Sequence, residues 1–248
     1  MEFGPTPMQR RVLAIDDDPI SLAVAAVLLE SEGCTVLQAE SGERALDLLA
    51  ASEPPDCVIA DLRMPSLAGT DLAARLRRSA PRALLLAMSA TPPAQVDGYD
   101  GVLRKPLSPE ALRAVFTSLA DRSPLAVSGA DPAGSAQDRP DSAILDSAVF
   151  ERLRGAMSKS AIEEVVSAFI EDSTARLAAM RSADPGAICR QAHTIKGSAA
   201  MLGAVQVAAV ASAVEAGIDH HGDRQRKLDE LELCVQRAEV MLKQRLKI

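Results

Sequence analysis

The sequence predicts an α/β part with a doubly wound, five-stranded parallel sheet, followed by an all-α antiparallel four-helix bundle. In residues 11–120, short apolar runs alternate with helical patterns, which is typical of a parallel sheet covered by helices on both faces. Residues 142–248 contain no strand pattern, and their apolar residues recur at helical spacing. Residues 121–141 are rich in Pro, Ala, Ser, Gly and Asp without periodicity. We therefore expect domains at 10–120 and 142–248, joined by a flexible linker at 121–141.

The elements of the α/β part follow from apolar runs and from residues that suit helix ends. The predicted strands cover residues 12–15, 35–39, 57–60, 83–88 and 102–103. The predicted helices cover about residues 19–32, 41–51, 71–79 and 108–120. Pro19 suits a first helical turn, Ser41 can cap a helix with its hydroxyl, and Gly33 suits a helix end. Ser108, Pro109 and Glu110 together favour the start of the last helix.

The bundle is predicted from long amphipathic stretches separated by short turns. A leading helix is expected near residues 147–157, and a long helix carries Ile162, Phe169 and Met180 on one face. Further helices are expected at about 185–202, 205–218 and 228–242. Such long helices with short connections indicate antiparallel neighbours.

Composition excludes several classes of function. The formal net charge of −7 argues against a general nucleic-acid binder, because such binding depends on Lys and Arg neutralising phosphates. Aromatic residues are only 2% of the chain, so platforms for base stacking are not expected either. No apolar run reaches the ~18 residues of a membrane span, and no signal segment is visible, so the expected location is the cytoplasm and no membrane partner is expected. The four cysteines are spaced too widely for a zinc or redox motif, and we expect reduced thiols.

Polar side chains stand at the predicted strand ends of the α/β part, where ligands bind in such sheets. They are Asp16, Asp17, Asp61, Ser89 and Lys105. Two carboxylates ~4 Å apart repel by about 1 kcal/mol in water and by about 4 kcal/mol at an effective dielectric constant of about 20. Mg²⁺ offsets this cost and also binds phosphate. The set therefore suits phosphoryl transfer, with a carboxylate as nucleophile, two further carboxylates for the metal, a counter-charge and a hydroxyl donor.

Four motifs in this part resemble those of the receiver domains of two-component signalling: AIDDDP, VIADLRMP, LAMSA and LRKP. The resemblance covers about residues 10–120 and implies a flavodoxin-like fold. It implies that Asp61 is the phosphoacceptor and that Asp16 and Asp17, with Asp61, hold Mg²⁺. It also implies that Ser89 is the switch hydroxyl, that Lys105 contacts the phosphoryl group, and that the bond from Lys105 to the following proline is cis.

Two departures from that family concern the usual conformational output. Only residues 90–104 separate Ser89 from Lys105, and they include prolines and glycines, so the fourth helix is expected to be very short or absent. The aromatic residue that usually precedes the lysine is replaced by Val102, and Tyr99, the single tyrosine, lies outside that position. Neither departure touches the residues that accept phosphate.

The second part contains the segment AHTIKGSAAMLGA, which includes His193. At 100° per residue, His193, Lys196, Gly197 and Ala200 fall on the side of the helix opposite its apolar residues. His193 is therefore expected to point to solvent, with Lys196 able to reach a phosphoryl oxygen on the imidazole. A glycine within a helix costs about 1 kcal/mol relative to alanine. Gly197 and Ala200 are accordingly expected to leave bare surface on which a second protein docks.

The same segment resembles the signature of histidine phosphotransfer domains, in which the histidine is phosphorylated. The two resemblances together imply a phosphorelay intermediate that accepts a phosphoryl group on Asp61 and relays it through His193. The implied partners are a sensor histidine kinase and a separate receiver. No glycine-rich ATP-binding segment is visible, so autokinase activity is not expected.

Two other functions compete with the relay. Asp16 and Asp18 imitate the Asp-x-Asp opening of haloacid-dehalogenase-type phosphatases, although the later acidic motif of that family is missing and His193 would have no role. Alternatively, the shortened α/β part only docks proteins and is never phosphorylated. Either Asp61 and His193 exchange the group within one molecule or they exchange it between molecules, and the sequence favours neither.

Overall fold

The computed structural model describes residues 10–65, 67–93, 95–121, 144–217 and 221–246. The chain forms two compact units, Met1–Gly129 and Ala130–Ile248. Residues 122–141 of the predicted linker lie outside the described residues. No helix in the described part of the chain combines the length and the apolar character needed to cross a membrane.

The first unit is a five-stranded parallel sheet with helices packed against it, as the sequence predicts. Its strands are β1 (Arg11–Ile15), β2 (Thr35–Ala39), β3 (Cys57–Asp61), β4 (Leu84–Ser89) and β5 (Gly101–Arg104). Its helices are α1 (Pro19–Ser31), α2 (Gly42–Ala51), α3 (Gly69–Ser79) and α4 (Pro109–Asp121). The strand order is β2-β1-β3-β4-β5, and every neighbouring pair is parallel.

The centre of the sheet is fully covered. All five residues of β3 are buried, as are the last four residues of β1. Strands buried on both faces read as continuous apolar runs, which explains why these strands could be recognised from composition alone. Leu13, Val58, Leu72 and Leu85 belong to the cluster that joins the sheet to α2 and α3.

The connection from β4 to β5 contains no helix in its described residues, 90–93 and 95–100. This confirms the prediction that a helix between these two strands is very short or absent. This segment is tied to α3 instead. Asp100 accepts two hydrogen bonds from Arg77 at 2.7 Å and a third from the backbone N–H of Leu85 at 2.8 Å. The hydroxyl of Tyr99 donates to the carbonyl oxygen of Gly69 at 3.4 Å. The single tyrosine therefore packs beside α3 and not on β5.

The second unit consists of helices, as predicted. They are α5 (Ser147–Ala156), α6 (Lys159–Met180), α7 (Pro185–Leu202), α8 (Val205–Glu215) and α9 (His221–Leu246). The side chains of Asp146, Ser158 and Asp184 cap the first turns of α5, α6 and α7 by accepting backbone hydrogen bonds. Gly203 ends α7 with φ of 74°, a left-handed conformation that favours glycine. Only Gly203 and Ala204 connect α7 to α8, which keeps these two helices in contact.

Ser173 of α6 provides a test of packing in this unit. Its side chain is buried, with 1% exposure, and its hydroxyl has no hydrogen-bond partner among the described residues. A buried, unsatisfied polar group costs about 1–3 kcal/mol. We expect Ser173→Ala to raise the free energy of unfolding by about 1 kcal/mol, measured by urea denaturation. The control is Ser198→Ala, because the hydroxyl of Ser198 donates to backbone oxygens. Equal effects of the two substitutions would contradict the prediction.

Candidate functional site

The structure gathers the carboxylates of the first unit at the carboxyl edge of its sheet. Asp16 follows β1 directly, and Asp61 is the last residue of β3. One carboxylate oxygen each from Asp16, Asp17 and Asp61 lies within 4.8 Å of the others. Asp16 and Asp61 are buried, whereas Asp17 is half-buried. The cluster therefore brings several carboxylate oxygens together in a small space.

Lys105 connects two of these carboxylates. Its Nζ lies 2.6 Å from Oδ2 of Asp16 and 2.5 Å from Oδ2 of Asp61. Side-chain exposure is only 2% for Lys105, 1% for Asp16 and 6% for Asp61. The lysine follows β5, and its peptide bond to Pro106 is cis, as the resemblance implies. The parallel sheet thus brings a cation from its edge strand onto anions from its central strands.

Burial dominates the ionisation of this cluster. Burial raises the pKa of Asp16 to about 7, the nearby charge of Asp61 adds to the increase, and Lys105 opposes it. Burial also raises the pKa of Asp17, and the charge of Asp61 acts in the same direction. For Lys105, burial alone would lower the pKa, but the carboxylates of Asp16 and Asp61 outweigh it and raise the pKa. The site therefore has more negative charge than its one lysine compensates.

The oxygens of the cluster are further oriented by backbone groups. Oδ1 of Asp16 accepts from the N–H of Asp18 at 3.1 Å, and Oδ1 of Asp61 accepts from the N–H of Arg63 at 3.0 Å. Ser89, the last residue of β4, is buried, and its Oγ accepts from the N–H of Thr91 at 3.2 Å. Because this contact uses the oxygen of the hydroxyl as acceptor, the hydrogen is left to donate to another oxygen.

Asp18 has a structural role that the sequence did not suggest. Its carboxylate caps α1 by accepting from the N–H groups of Ile20 at 3.3 Å and Ser21 at 3.1 Å, and from the hydroxyl of Ser21 at 2.7 Å. This side chain is thus turned to the helix. The Asp16-x-Asp18 pattern is accounted for without a phosphatase mechanism.

The imidazole of His193 is less exposed than the helical periodicity predicted. It lies in the middle of α7, and 17% of its side chain is exposed. Lys196 and Gly197, which were expected on an open face, are buried, and Ala200 is half-buried. The expectation of bare surface around Gly197 is therefore wrong. The reason is that α8 packs on this side of α7 and covers part of it.

Glu215 is a residue of this second site that the sequence analysis missed. It ends α8, and its side chain is 7% exposed. Its Oε1 lies 2.9 Å from Nδ1 of His193, and its Oε2 accepts from Nζ of Lys196 at 3.0 Å. One carboxylate thus contacts both His193 and Lys196. A signal was present, because Glu215 is the only charged residue of the otherwise uncharged helix α8.

The charge of Glu215 is stabilised by its two partners. Burial opposes its ionisation, but the hydrogen bonds from Lys196 and His193 outweigh burial and hold the pKa of Glu215 below its ordinary value. A lowered pKa in the folded state means that the carboxylate stabilises the fold above the unfolded pKa. This stabilisation is lost as the pH falls through the folded pKa.

We expect Glu215→Gln to lower the free energy of unfolding by about 1–3 kcal/mol at neutral pH, because Lys196 loses its buried counter-charge. The loss should shrink in acid, where the wild-type carboxylate is protonated as well. Urea denaturation at neutral and acid pH measures both effects. The control is Glu239→Gln, since Glu239 pairs with Lys243 in a more exposed ion pair. A loss that does not depend on pH would contradict the prediction.

Comparison with protein families identifies two domains in the chain. The response regulator receiver domain matches residues 12–117, and the Hpt domain matches residues 164–240. The chain contains a receiver domain followed by an Hpt domain. The carboxylate cluster lies in the receiver domain, and His193 with Glu215 lies in the Hpt domain. This combination fits a phosphorelay intermediate in two-component signalling.

Similar proteins share only part of their length with this chain. The transcriptional regulatory protein GlrR of Escherichia coli is 37% identical over 107 residues, which are 41% of this chain and 24% of GlrR. A cyclic di-GMP phosphodiesterase of Thermotoga maritima is 27% identical over 43% of this chain and 30% of its own length. An uncharacterized 14.6 kDa protein of Leptolyngbya boryana is 32% identical over 44% of this chain and 90% of its own length. The chain thus spans less than a third of the first two relatives.

Solved structures also resemble one part of the chain. A response regulator receiver domain protein from Clostridium thermocellum is 27% identical, with a TM-score of 0.42, and the match covers 46% of this chain and 95% of that one. The receiver domain of the hybrid histidine kinase CckA is 28% identical, with a TM-score of 0.38, over 44% of this chain and 97% of that one.

Proposed function

We propose that this protein is a phosphorelay intermediate in which Asp61 and His193 carry the same phosphoryl group in turn. A partner histidine kinase would supply the group to Asp61, and a separate receiver would exchange it with His193. The observation that carries this proposal is the presence of two complementary sites in one chain. One is a carboxylate beside a buried lysine, and the other is an imidazole with one nitrogen held by a carboxylate.

The donor set at the receiver site fits Mg²⁺. Receiver domains generally bind this ion at an acidic pocket, and hard carboxylate oxygens are its preferred protein ligands. Asp16, Asp17 and Asp61 would hold it, since their oxygens converge within 4.8 Å and carry more charge than Lys105 offsets. A bound Mg²⁺ would neutralise charge on the carboxylates and on the phosphoryl oxygens.

The first transfer would use a carboxylate oxygen of Asp61 as nucleophile. That oxygen forms a bond to phosphorus, the bond from phosphorus to the donor breaks, and the donor leaves with the bonding electron pair. The product is an acyl phosphate on Asp61. Lys105 would balance charge on the phosphoryl oxygens, since its Nζ already contacts Asp61 at 2.5 Å. Ser89 would donate its hydroxyl hydrogen to one of these oxygens.

The second transfer would use Nε2 of His193. When Nδ1 carries the hydrogen and donates it to Glu215, the lone pair of the neutral ring lies on Nε2. This nitrogen bonds to phosphorus as the bond from phosphorus to the carboxylate oxygen of an acyl phosphate breaks, so the carboxylate is regenerated. Glu215 would stabilise the positive charge that develops on the ring. The same steps in reverse would return the group to a receiver.

The test of this order of events is His193→Gln. We expect this variant to be labelled on Asp61 by a small phosphodonor with Mg²⁺, but to hand no label to a partner receiver. Transfer is measured by phosphotransfer profiling against candidate receivers. The control is Gln191→Ala, also on α7, whose side chain accepts a hydrogen bond from Arg176. Onward transfer from His193→Gln at the wild-type rate would contradict the proposal.

A further inference from the structure

The outer face of α3 carries a group of arginines that the phosphotransfer chemistry does not use. Arg75 and Arg78 are exposed, while Leu72, Ala73 and Leu76 of the same helix are buried against the sheet. Arg82 is also exposed and lies in the turn between α3 and β4. We call Arg75, Arg78 and Arg82 the α3 arginine patch. Among the described residues, none of the three has an ion pair or a side-chain hydrogen bond.

The neighbouring Arg77 does not belong to the patch, because it is paired within the domain. Nη2 of Arg77, on the same helix, donates to both carboxylate oxygens of Asp100 at 2.7 Å. That pair is internal, so it leaves the three patch arginines unneutralised. Asp71 is the only carboxylate of α3, and it stands in the first turn. The patch is thus a local concentration of positive charge in a chain with a net charge of −7.

Arg78 and Arg82 lie towards the edge of the sheet opposite the carboxylate cluster, and Arg75 lies in the middle of α3. Helix α3 starts after the carboxyl end of β3 and leads to the amino end of β4, which begins at Leu84. Its last turn and the following Arg82 therefore lie near the amino edge of the parallel sheet. Asp61 lies at the carboxyl edge. A molecule that contacts Arg78 and Arg82 would therefore lie away from Asp61.

We propose that the α3 arginine patch is a docking surface for a partner protein that presents a cluster of Asp and Glu side chains. Guanidinium groups match carboxylates geometrically and lose little hydration, which favours them at protein interfaces. Three arginines are fewer than the 6–10 phosphate contacts of typical DNA-binding proteins. An acidic protein is therefore favoured over a nucleic acid.

The test uses the full chain and a fluorescein-labelled oligoglutamate peptide, with binding followed by fluorescence anisotropy at low and high NaCl. We expect binding at low salt, and the triple variant Arg75→Glu/Arg78→Glu/Arg82→Glu should weaken it by about tenfold or more. The matched control applies the same charge change to exposed arginines elsewhere: Arg44→Glu/Arg104→Glu/Arg237→Glu. Circular dichroism establishes that both triple variants are folded.

Three results would overturn the proposal. They are absence of peptide binding, equal weakening in the two triple variants, and tighter binding of an oligothymidylate of matched charge. A second measurement follows the labelling of Asp61 by acetyl phosphate, which we expect to continue at the wild-type rate under saturating peptide. The labelling measurement depends on the proposed function, whereas the measurement of peptide binding does not. Loss of labelling in the absence of peptide would therefore count against the relay alone.

Discussion

Asp61→Asn is expected to reduce labelling of the chain by acetyl phosphate and Mg²⁺ to background. The amide keeps the size of the side chain but is a far weaker nucleophile than a carboxylate, so no acyl phosphate forms. Asp61 is also the carboxylate of the cluster that ends the central strand, β3. It contacts Lys105 and lies beside the carboxylates of Asp16 and Asp17. The measurement is incorporation of radiolabel from acetyl phosphate, with protein concentration held constant.

The control for this substitution is Asp47→Asn, because Asp47 is an exposed residue of α2 without a described partner. It should be labelled like the wild type. Circular dichroism of Asp61→Asn should show a folded protein, since replacing a carboxylate in a crowded anionic cluster removes repulsion. Wild-type labelling of Asp61→Asn would show that the phosphoacceptor is a different residue.

Lys105→Met is expected to lower the free energy of unfolding of the receiver domain by about 3–5 kcal/mol at neutral pH. The substitution preserves the length of the side chain but removes the cation that lies 2.6 Å from Asp16 and 2.5 Å from Asp61. Both carboxylates are almost fully buried, so water does not compensate for the lost ion pairs. The loss should become smaller in acid, because protonation of the carboxylates removes their charge.

Urea denaturation, with the unfolding of the two domains resolved, measures this effect. The control is Lys243→Met, because the pair of Lys243 with Glu239 is exposed and contributes about 0–1 kcal/mol. Added Mg²⁺ should restore part of the stability of Lys105→Met, since both the ion and the lysine balance the same carboxylates. A change in the unfolding midpoint no larger than that of the control would contradict the buried charge cluster described above.

The strand and helix pattern of both domains could be predicted from the sequence because the local signals agree with one another. Buried strands such as β3 are continuous apolar runs, and helices such as α7 begin at a capping residue and end at a glycine. The lack of a helix among the described residues between β4 and β5 was also predictable, because too few residues connect these strands. How that connection is fixed, through Asp100 and Tyr99, required the structure.

The carboxylate cluster could be located from the sequence because parallel strands place their carboxyl ends at one edge. The environment of His193 could not be predicted in the same way. A helical projection of α7 shows which residues share a face of that helix, but it contains no information about neighbouring helices. Helix α8 buries Lys196 and supplies Glu215. The hydrogen-bond partner of His193, Glu215, lies 22 residues further along the chain, so only the packing of the two helices reveals it.

The central claim is that Asp61 and His193 carry the same phosphoryl group, and the chemical stability of the label tests it most directly. Acyl phosphates are lost in base, whereas phosphohistidine survives base and is lost in acid. After labelling with acetyl phosphate and Mg²⁺, the wild type should retain base-stable label, and both Asp61→Asn and His193→Gln should lack it. A mixture of these two variants separates transfer within a molecule from transfer between molecules. Base-stable label on Asp61→Asn alone, at the wild-type level, would contradict the relay.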